Sequence, residues 1–520
     1  MLDAIALSVF VSRIEAVCDE MGAVLKRVAF SPNIKDRLDF SCAVFDARGE
    51  LCAQAAHIPV HLGSMAYAMR DIVAGIEWHD GDMVMLNDPY LGGTHLPDVT
   101  VIAPLFLDHE LLGFVVNRAH HADIGASSPG SMPISSSLHE EGQVIPPSKI
   151  IRNGVMQQGV LDPLMAEMRN PAESGGDFQA QISANQRGLQ RLRDLVEGMG
   201  AAAYRQALQE LNEYAQRLAA AALAEIPAGE YRFGDVIDDD GQGQQDIPIQ
   251  VCVRVRQGEV DVDFSGTAAQ VKGNINCPLS VAAAAVFYVF RCLMPAQTPA
   301  CAGSFRGIHI SAPPACLVNA ERPAAVAAGN VETSTRIVDV VMGALAQAIP
   351  ERIPAASHGS MNNLAMGAAR DGHHAAWDYY ETIGGGMGAG PDGGGLSGVQ
   401  THMTNTLNTP VEALEMRYPV RVRRYALRTD SAGEGRRAGG EGLLREYEML
   451  APTQATLLTE RRSHRPWGLA GGDAGATGEN RLNDQVLPAK VSLTLQPGDR
   501  LTLLTPGGGG YGNPDSDQSD

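Results

Sequence analysis

The sequence predicts an α+β fold, a mixed multi-domain arrangement with helical segments and a C-terminal half rich in β-hairpins and glycine. Three observations support this prediction: helical periodicity near the N-terminus, a long stretch rich in Ala, Gln, Leu and Arg in the middle, and alternating apolar residues beyond it. The chain has 520 residues, 44% hydrophobic and 19% charged, which is the composition of a folded protein of several domains. Its 57 glycines and 30 prolines predict numerous loops.

The N-terminal part is predicted to combine a helix with short strands. Apolar residues at positions 10, 14, 17, 21, 24 and 28 recur every three or four residues, which indicates an amphipathic helix. Residues 41–45, 51–54, 83–86 and 99–106 are predicted to be strands separated by polar or Gly/Pro turns. Residues 177–225 predict two helices with a break near Gly198 and Gly200.

The second half alternates strands, helices and glycine-rich segments. Valines at every second position predict a β-hairpin over residues 251–264. Helices are predicted over residues 280–292 and 332–348, the latter with Asn330 as a possible N-cap. Apolar residues also alternate over 491–495 and 501–503, on either side of a Pro-Gly-Asp turn. The expected divisions are an α/β region over 1–175, a helical segment over 176–226, an α+β region with glycine-rich loops over 227–514 and a disordered tail over 515–520.

Eight glycines lie between Gly384 and Gly395, too many for the interior of a helix or strand. One interpretation is a flexible surface linker. The other is a loop whose bare backbone lines a substrate path or a partner interface. The second interpretation predicts that Gly385→Val or Gly386→Val lowers the activity of an assembled complex far more than the thermal stability of the chain.

The charge balance argues against a nucleic-acid role. The 60 acidic residues outnumber the 40 basic ones and give a net charge of −20, whereas binding to phosphate backbones depends on concentrated Lys and Arg. The longest apolar run, residues 281–290, is shorter than the ~20 residues of a membrane span. The N-terminus lacks the basic region of a signal peptide, and the eight cysteines form no CxxC pair. We therefore expect a cytoplasmic protein that binds small molecules and protein partners.

The densest set of potential metal ligands lies in residues 87–98 and 118–123, within the 1–175 region. Imidazole and carboxylate groups bind zinc or manganese, and a catalytic site needs about three protein ligands and one open position. His95 and Asp98 can chelate from one loop. Either His120 or His121 can join them, because adjacent side chains on a strand face opposite ways. The alternative is that all of these are turn and strand-end groups hydrogen-bonded to backbone.

Other polar residues nearby have more than one interpretation. Asp39, at a strand start, suits a fourth ligand, a general base or an ordinary strand-edge carboxylate. His57 and His61 share one face if their segment is extended. In one interpretation they support the metal ligands or contact a substrate. In the other they are a structural pair with satisfied hydrogen bonds. Asp88 joins these two histidines as a candidate substrate contact.

The chain lacks the usual nucleotide-binding motifs. Residues 388–393 match GxGxxG in form, but no apolar strand precedes them, no helix follows them and Pro391 interrupts them. No GxxxxGK[ST] loop, GxSxG elbow or HExxH helix occurs. We therefore expect that the isolated chain neither binds nor hydrolyses ATP, and that any nucleotide is held by another chain.

Several motifs resemble those of the hydantoinase B family. They are SPNIKDRLDFS at 31–41, HIPVHLGSM at 57–65, NDPYLGGTHLPD at 87–98, DFSGT at 263–267, AGNVETS at 328–334, GGGMGA at 384–389 and GGYG at 509–512. The resemblance covers essentially the whole chain, in order. That family includes B subunits of ATP-dependent hydantoinases and N-methylhydantoinases, part of 5-oxoprolinases, a lactamase, and subunits of acetone and acetophenone carboxylases.

The resemblance implies a hetero-oligomer with a hydantoinase A-type chain that binds ATP and Mg²⁺, and ring opening of a hydantoin, N-methylhydantoin, 5-oxoproline or lactam. The alternative that it implies is an ATP-dependent acetone or acetophenone carboxylase. It also implies a zinc or manganese ion, with the family's ligand pattern matched here by Asp39, His95, Asp98 and His120, where His120 rests on its choice over His121. The candidate catalytic residues are Asp39, His121 and Asp123. The candidate substrate contacts are His57, His61 and Asp88.

Overall fold

The computed structural model describes residues 3–55, 57–369 and 376–514. These residues form nine α-helices: α1 Ala4–Val28, α2 Pro32–Lys35, α3 Pro59–Ala74, α4 Gln158–Ala166, α5 Pro171–Met199, α6 Ala201–Ala224, α7 Leu279–Leu293, α8 Ser334–Leu345 and α9 Val411–Arg417. None of these described helices is both long enough and apolar enough to cross a membrane. The predicted disordered tail, residues 515–520, lies outside the described residues.

Seven strands form an antiparallel sheet in the N-terminal region: β1 Phe40–Asp46, β2 Leu51–Gln54, β3 Met83–Leu86, β4 Asp98–Leu107, β5 Glu110–His120, β6 Ser148–Arg152 and β7 Val155–Met156. Their order across the sheet is β2-β1-β5-β4-β3-β6-β7. The four strands predicted for this region are confirmed as β1 to β4.

Both faces of this sheet are buried, because side chains alternate along each strand. Cys42 and Val44 of β1 belong to the core formed with α1, α5 and α6. Ala43 and Phe45 point to the other face and pack with apolar residues of α3. The sheet is therefore an inner layer, and polar side chains at its strand ends are shielded from water.

The predicted helices of the N-terminal region are confirmed. Asp3 caps α1 by accepting a hydrogen bond from the Ala6 N–H at 2.7 Å. Gly200, with φ of 86°, separates α5 from α6 near the predicted break. The predicted boundary at residue 175 falls inside α5, which packs on β4 and β5. The domain divisions stay predictions.

Thirteen further strands follow in the described residues: β8 Gly229–Asp239, β9 Gln245–Arg256, β10 Glu259–Asp263, β11 Ile308–Ser311, β12 Asn363–Ala368, β13 Trp377–Glu381, β14 Val420–Arg428, β15 Gly442–Met449, β16 Thr453–Leu458, β17 Glu479–Leu482, β18 Gln485–Leu487, β19 Lys490–Leu495 and β20 Arg500–Leu504. They form three sheets with the orders β11-β10-β9-β8, β13-β12-β16-β19 and β14-β15-β20-β17-β18. This mixture of helices and sheets confirms the predicted α+β class.

The hairpin predicted over residues 251–264 is confirmed, whereas the two alternating segments on either side of the Pro-Gly-Asp turn do not form a hairpin. β9 and β10 form the predicted hairpin, with Val260 opposite Val255. β19 and β20 do not pair with each other, since β19 pairs with β16, and β20 lies between β15 and β17. Alternation predicts a strand correctly here, but it does not identify the partner strand.

Two local expectations were wrong. Residues 59–74 form helix α3 rather than an extended segment, and Pro59 at its first turn suits a helix start. His57 and His61 therefore share no strand face. A π-helical turn over Gly329–Thr333 precedes α8, so Asn330 lies inside helical structure and is not an N-cap.

The glycine-rich segment 384–395 packs closely against other backbone at several positions. Gly386 lies so near to its neighbours that a Cβ there would be 1.9 Å from the carbonyl oxygen of Gly440. At Gly390 and Gly393, by contrast, a Cβ would meet nothing within 4 Å. Gly386 is thus required for packing, and the geometry favours stability rather than activity as the property most sensitive to its substitution.

Candidate metal centre

Three side chains converge at one end of the first sheet. His95 lies in the loop before β4, Asp98 is the first residue of β4, and His120 is the last residue of β5. Asp98 and His120 stand directly opposite each other in the antiparallel register of β4 and β5. The strand pairing therefore brings together one group from each of two consecutive strands, and the loop adds the third.

The donor atoms of His95, Asp98 and His120 all lie within 4.8 Å of one another. The three residues are buried, with 0%, 0% and 3% of their surface exposed. His120 Nε2 has no hydrogen-bond partner among the described residues. His95 Nε2 and Asp98 Oδ1 also lack well-aligned partners there, although Asp98 Oδ2 lies 3.3 Å from His95 Nε2 and His61 Nε2 lies 3.2 Å from Asp98 Oδ1. Since buried polar atoms without partners are costly, two imidazole nitrogens and one carboxylate oxygen in this arrangement fit a zinc or manganese ion.

Residues far along the chain fix the orientation of two of these groups. His95 Nδ1 lies 3.1 Å from the carbonyl oxygen of Ala327. Because a carbonyl only accepts, Nδ1 carries a ring proton, and a neutral His95 would present the Nε2 lone pair to the centre. Burial favours that neutral form, but the Asp98 carboxylate outweighs burial and raises the pKa of His95. Asp98 Oδ2 accepts a short hydrogen bond from Thr94 Oγ1 and lies 3.4 Å from Asn330 Nδ2. Residues 327–330 thus cover the centre.

The third group, His120, is held by an aromatic ring and an amide. Its imidazole stacks on the Tyr380 ring, with 4.7 Å between centroids and 7° between planes. His120 Nδ1 lies 3.1 Å from Asn33 Nδ2. A metal ion at Nε2 requires the ring proton on Nδ1, and this in turn requires the Asn33 amide turned so that its oxygen accepts that proton.

Asp39 and His61 lie beside the three converging side chains. His61 Nε2 is 3.2 Å from Asp98 Oδ1 and 3.9 Å from Asp39 Oδ1. The Asp39 carbonyl accepts a hydrogen bond from the backbone N–H of His120 at 3.0 Å. The Asp39 carboxylate also faces Arg37 at 3.6 Å. Asp39 as a fourth ligand stays a prediction, because its carboxylate is not among the three mutually close donors.

Burial and neighbouring charges set the ionisation of the centre. Burial alone would raise the pKa of Asp98, but His61 and His95 outweigh it and hold that pKa well below its usual value. Burial raises the pKa of Asp39, although neighbouring cations oppose the shift. Burial lowers the pKa of His120 far below its usual value, and His95 adds to this effect. Asp98 is therefore ionised and His120 neutral at pH 7, as metal ligation requires.

His121 and Asp123 lie on the far side of the sheet end. His121 Nε2 is 2.9 Å from Gln181 Oε1, and its ring packs on Phe178 of α5. Asp123 accepts hydrogen bonds from the backbone of Gly125 and Arg169. Within the part of the chain that the structure describes, no hydrogen bond or ion pair joins either residue to the three convergent side chains. Their assignment as catalytic residues gains no geometric support.

His57 and Asp88 are engaged in local structure. His57 Nδ1 accepts a hydrogen bond from the backbone N–H of Cys42 at 3.1 Å, and burial lowers the His57 pKa to about 4. Asp88 accepts a hydrogen bond from the Tyr90 N–H at 3.0 Å and pairs with Arg322. A substrate contact by either residue stays a prediction.

Glu141, which the sequence analysis missed, supports the centre through the backbone. Its carboxylate accepts hydrogen bonds from the N–H groups of Val326 and Ala327 at 2.9 and 3.0 Å, and from Ser135 Oγ at 2.7 Å. The Ala327 carbonyl in turn accepts from His95. Glu141 belongs to none of the motifs found in the sequence. The backbone that it binds lies directly before the motif at 328–334.

We expect Glu141 to make stability depend on pH. Burial raises its pKa from 4.5 to about 7. Because the folded state binds this proton more tightly, the stabilisation is complete below about pH 4.5 and is lost as pH rises through the folded pKa of about 7. Glu141→Gln should flatten the fall in unfolding free energy between those two pH values, as measured by urea denaturation. Glu77→Gln, at a side chain 87% exposed, is the control. Identical slopes in wild type and Glu141→Gln would contradict the assignment.

Comparison with known sequences gives a match over nearly the whole chain. A family model described as hydantoinase B/oxoprolinase matches residues 3–514. The chain is 40% identical to 5-oxoprolinase 1 of Arabidopsis thaliana, over 98% of this chain and 42% of that protein. It is 33% identical to the putative B subunit of a D-/L-hydantoinase from Pseudomonas sp. strain NS671, over 99% of this chain and 90% of that protein. The chain thus spans about two fifths of the plant relative's length.

Two solved structures are similar to this one. The ATP-dependent caprolactamase from Pseudomonas jessenii superposes with a TM-score of 0.92 at 29% identity, over 99% of this chain and 92% of that chain. A nucleotide-free acetone carboxylase structure superposes with a TM-score of 0.90 at 19% identity, over 98% of this chain and 76% of that chain. At that identity the second likeness shows a shared fold alone.

Proposed function

This chain belongs to the hydantoinase B/oxoprolinase family, and from that premise we propose that it takes part in ATP-dependent hydrolysis of a C–N bond in a cyclic amide. The substrate class is a hydantoin, an N-methylhydantoin, 5-oxoproline or a lactam. The names of the relatives support this class, since they are a 5-oxoprolinase, a putative hydantoinase component and a caprolactamase.

One observation carries the proposal: the buried convergence of His95, Asp98 and His120, with donor atoms within 4.8 Å of one another. A zinc or manganese ion held by these residues would polarise the carbonyl oxygen of the amide. The protein contributes rigidity, because Ala327 O and Thr94 Oγ1 fix His95 and Asp98 before a substrate arrives. Burial excludes water and strengthens the electrostatic interactions of these groups.

We assign proton handling to Asp39 and His61. Opening the ring requires a proton for the departing nitrogen and a base for the attacking water. The Asp39 carboxyl is close to the centre but slightly accessible, with 8% of its side chain exposed. Burial raises its pKa, which favours proton uptake. His61 Nε2 lies 3.9 Å from Asp39 Oδ1, beyond hydrogen-bond distance, so proton exchange between them requires the two side chains to move closer.

We place the ATP site on a separate hydantoinase A-type chain. Resonance stabilises the amide C–N bond, and coupling to ATP cleavage offsets that stability. A relative of nearly the same length is named as one component, the B subunit, of a hydantoinase. The plant 5-oxoprolinase is more than twice as long as this chain, since the match covers 42% of it. The name of the hydantoinase relative, a B subunit, supports a separate partner chain.

The proposal is tested by combining this chain with a hydantoinase A-type chain and supplying ATP with hydantoin, N-methylhydantoin, 5-oxoproline or caprolactam. We expect ADP and a ring-opened acid to form together with at least one of these substrates, and neither product when one chain is left out. ADP formation coupled instead to carboxylation of acetone by bicarbonate would replace this proposal with the carboxylase alternative. ATP-independent ring opening by this chain alone would refute the division between two chains.

A further inference from the structure

One long strand lies at an edge of the fourth sheet. In the order β14-β15-β20-β17-β18, β14 is the first strand, and among the described strands it pairs with β15 alone, with a bulge between Val422 and Arg424. Residues 423–427 of β14 are all exposed, so this part of the strand is only partly covered on its faces and has a free edge. Exposed edges with free N–H and C=O groups tend to pair with other strands, and proteins usually protect them.

Exposed apolar side chains flank this edge. Tyr425 and Leu427 are 46% and 52% exposed and lie two residues apart, on one face of β14. Leu407, 54% exposed, is next to Asn408, whose side-chain oxygen accepts a hydrogen bond from Tyr425 Oη at 3.0 Å. Leu396, 61% exposed, lies two residues before Gly398, where a Cβ would be 3.1 Å from Leu427 Cδ2. We call Leu396, Leu407 and residues 423–427 the β14 edge surface.

On the same face of the sheet, the residues of β15 that lie beside the exposed part of β14 are buried. Tyr425 is opposite Arg445 and Leu427 is opposite Leu443 in the β14–β15 register. Arg445 is completely buried, and its guanidinium lies 4.3 Å from the Tyr425 ring centroid. The buried face of β15 therefore continues into exposed side chains on β14, as expected where another polypeptide completes the sheet.

The positive charge of β14 disfavours pairing with β14 of a second copy of this chain. β14 contains four arginines in nine residues, although the chain as a whole carries −20. Arg423 pairs with Glu448 of β15. Arg421 and Arg424 form no ion pair within the described residues. Pairing two copies of β14 would bring the arginines of both strands together, and like charges on paired strands are destabilising.

We propose that the β14 edge surface binds an extended segment of the ATP-binding partner chain, which adds to the sheet as a strand beside β14. This inference rests on the proposed function for the identity of the occupant. Because side chains alternate, the partner segment would place apolar residues beside Tyr425 and Leu427 and carboxylates beside Arg424 on the other face. An acidic and apolar alternation is therefore the chemistry that this edge recognises.

The test measures affinity between the two full-length chains. Leu427→Asp puts a charge on the apolar side of the surface, and we expect the dissociation constant for the partner to rise about 30-fold or more. Arg424→Glu should raise it about 10-fold, and added salt should weaken wild-type binding. Val486→Asp is the matched control, because Val486 is 68% exposed on β18, the opposite edge of the same sheet. Its affinity should equal that of wild type.

Turnover separates failure of this inference from failure of the proposed function. We expect Leu427→Asp to need more partner chain for half-maximal ring opening and to reach the wild-type maximal rate at saturation. Unchanged affinity in both Leu427→Asp and Arg424→Glu, with ring opening intact, would overturn the docking surface but leave the proposed function standing. A wild-type chain that dimerises alone and becomes monomeric in Leu427→Asp would also overturn it, because the occupant would then be a second copy.

Discussion

Asp98→Asn is expected to abolish binding of the proposed metal ion and to lower turnover of the proposed two-chain enzyme by about a thousandfold or more. Burial would raise the pKa of the Asp98 carboxyl group, but His61 and His95 outweigh this effect and hold the pKa well below its usual value. Ionised Asp98 is therefore the main anionic group of the centre. Lewis-acid stabilisation supplies several kcal/mol, and each ~1.4 kcal/mol is a factor of ten in rate. Elemental analysis of protein purified without chelators, together with steady-state rates, measures both effects.

His79→Ala provides a control for this prediction, since His79 is another histidine of the same region with 52% of its side chain exposed. It should keep full metal content and activity. His95→Ala should behave as Asp98→Asn, because Nε2 of His95 is one of the three converging donors. Wild-type activity in protein shown to be free of metal would exclude the proposed role of this centre.

Gly386→Ala is expected to destabilise the chain by about 3 kcal/mol or more, a large loss for a single methyl group. The added Cβ would lie 1.9 Å from the Gly440 carbonyl oxygen, and a backbone atom cannot move aside as a flexible side chain can. The Gly386 N–H also donates to the Pro506 carbonyl at 3.0 Å, which ties this position to a third segment. Denaturant unfolding measures the loss.

Gly390→Ala is the matched substitution in the same segment, where a Cβ meets nothing within 4 Å. Its unfolding free energy should stay within about 0.5 kcal/mol of wild type. The activity of whatever fraction of Gly386→Ala remains folded should be close to normal. Equal stability of the two variants would contradict the packing role of Gly386. A loss of activity without a loss of stability would instead favour the interpretation of this segment as part of a substrate path.

The convergent residues lie in segments dense in potential ligands, and the hydantoinase B resemblance matched His95, Asp98 and His120 to the family's ligand pattern. Strand alternation alone left His120 and His121 as alternatives. The antiparallel register that places Asp98 opposite His120 explains why the first of the two faces the centre. That register was not predicted, because no strand was predicted over the residues of β5.

The supporting groups could not be predicted in the same way. The Ala327 carbonyl is 232 positions from His95 in sequence, and Glu141 supports it through the backbone N–H groups of Val326 and Ala327. Neither contact produces a pattern that can be recognised in the amino-acid sequence. Asn330 followed the pattern of an N-cap, yet the π-helical turn places its amide beside Asp98. Tertiary contacts decided each of these roles.

From the separation between His95 and Ala327 we expect the centre to be completed late in folding. The β4–β5 hairpin joins neighbouring segments, so it closes a short loop and can pair early. The contact from the Ala327 carbonyl closes a loop of 232 positions, which costs more entropy and belongs to late assembly. A chain that has formed the hairpin alone already holds Asp98 opposite His120. The ring of His95 acquires its fixed tautomer only when the distant segment docks.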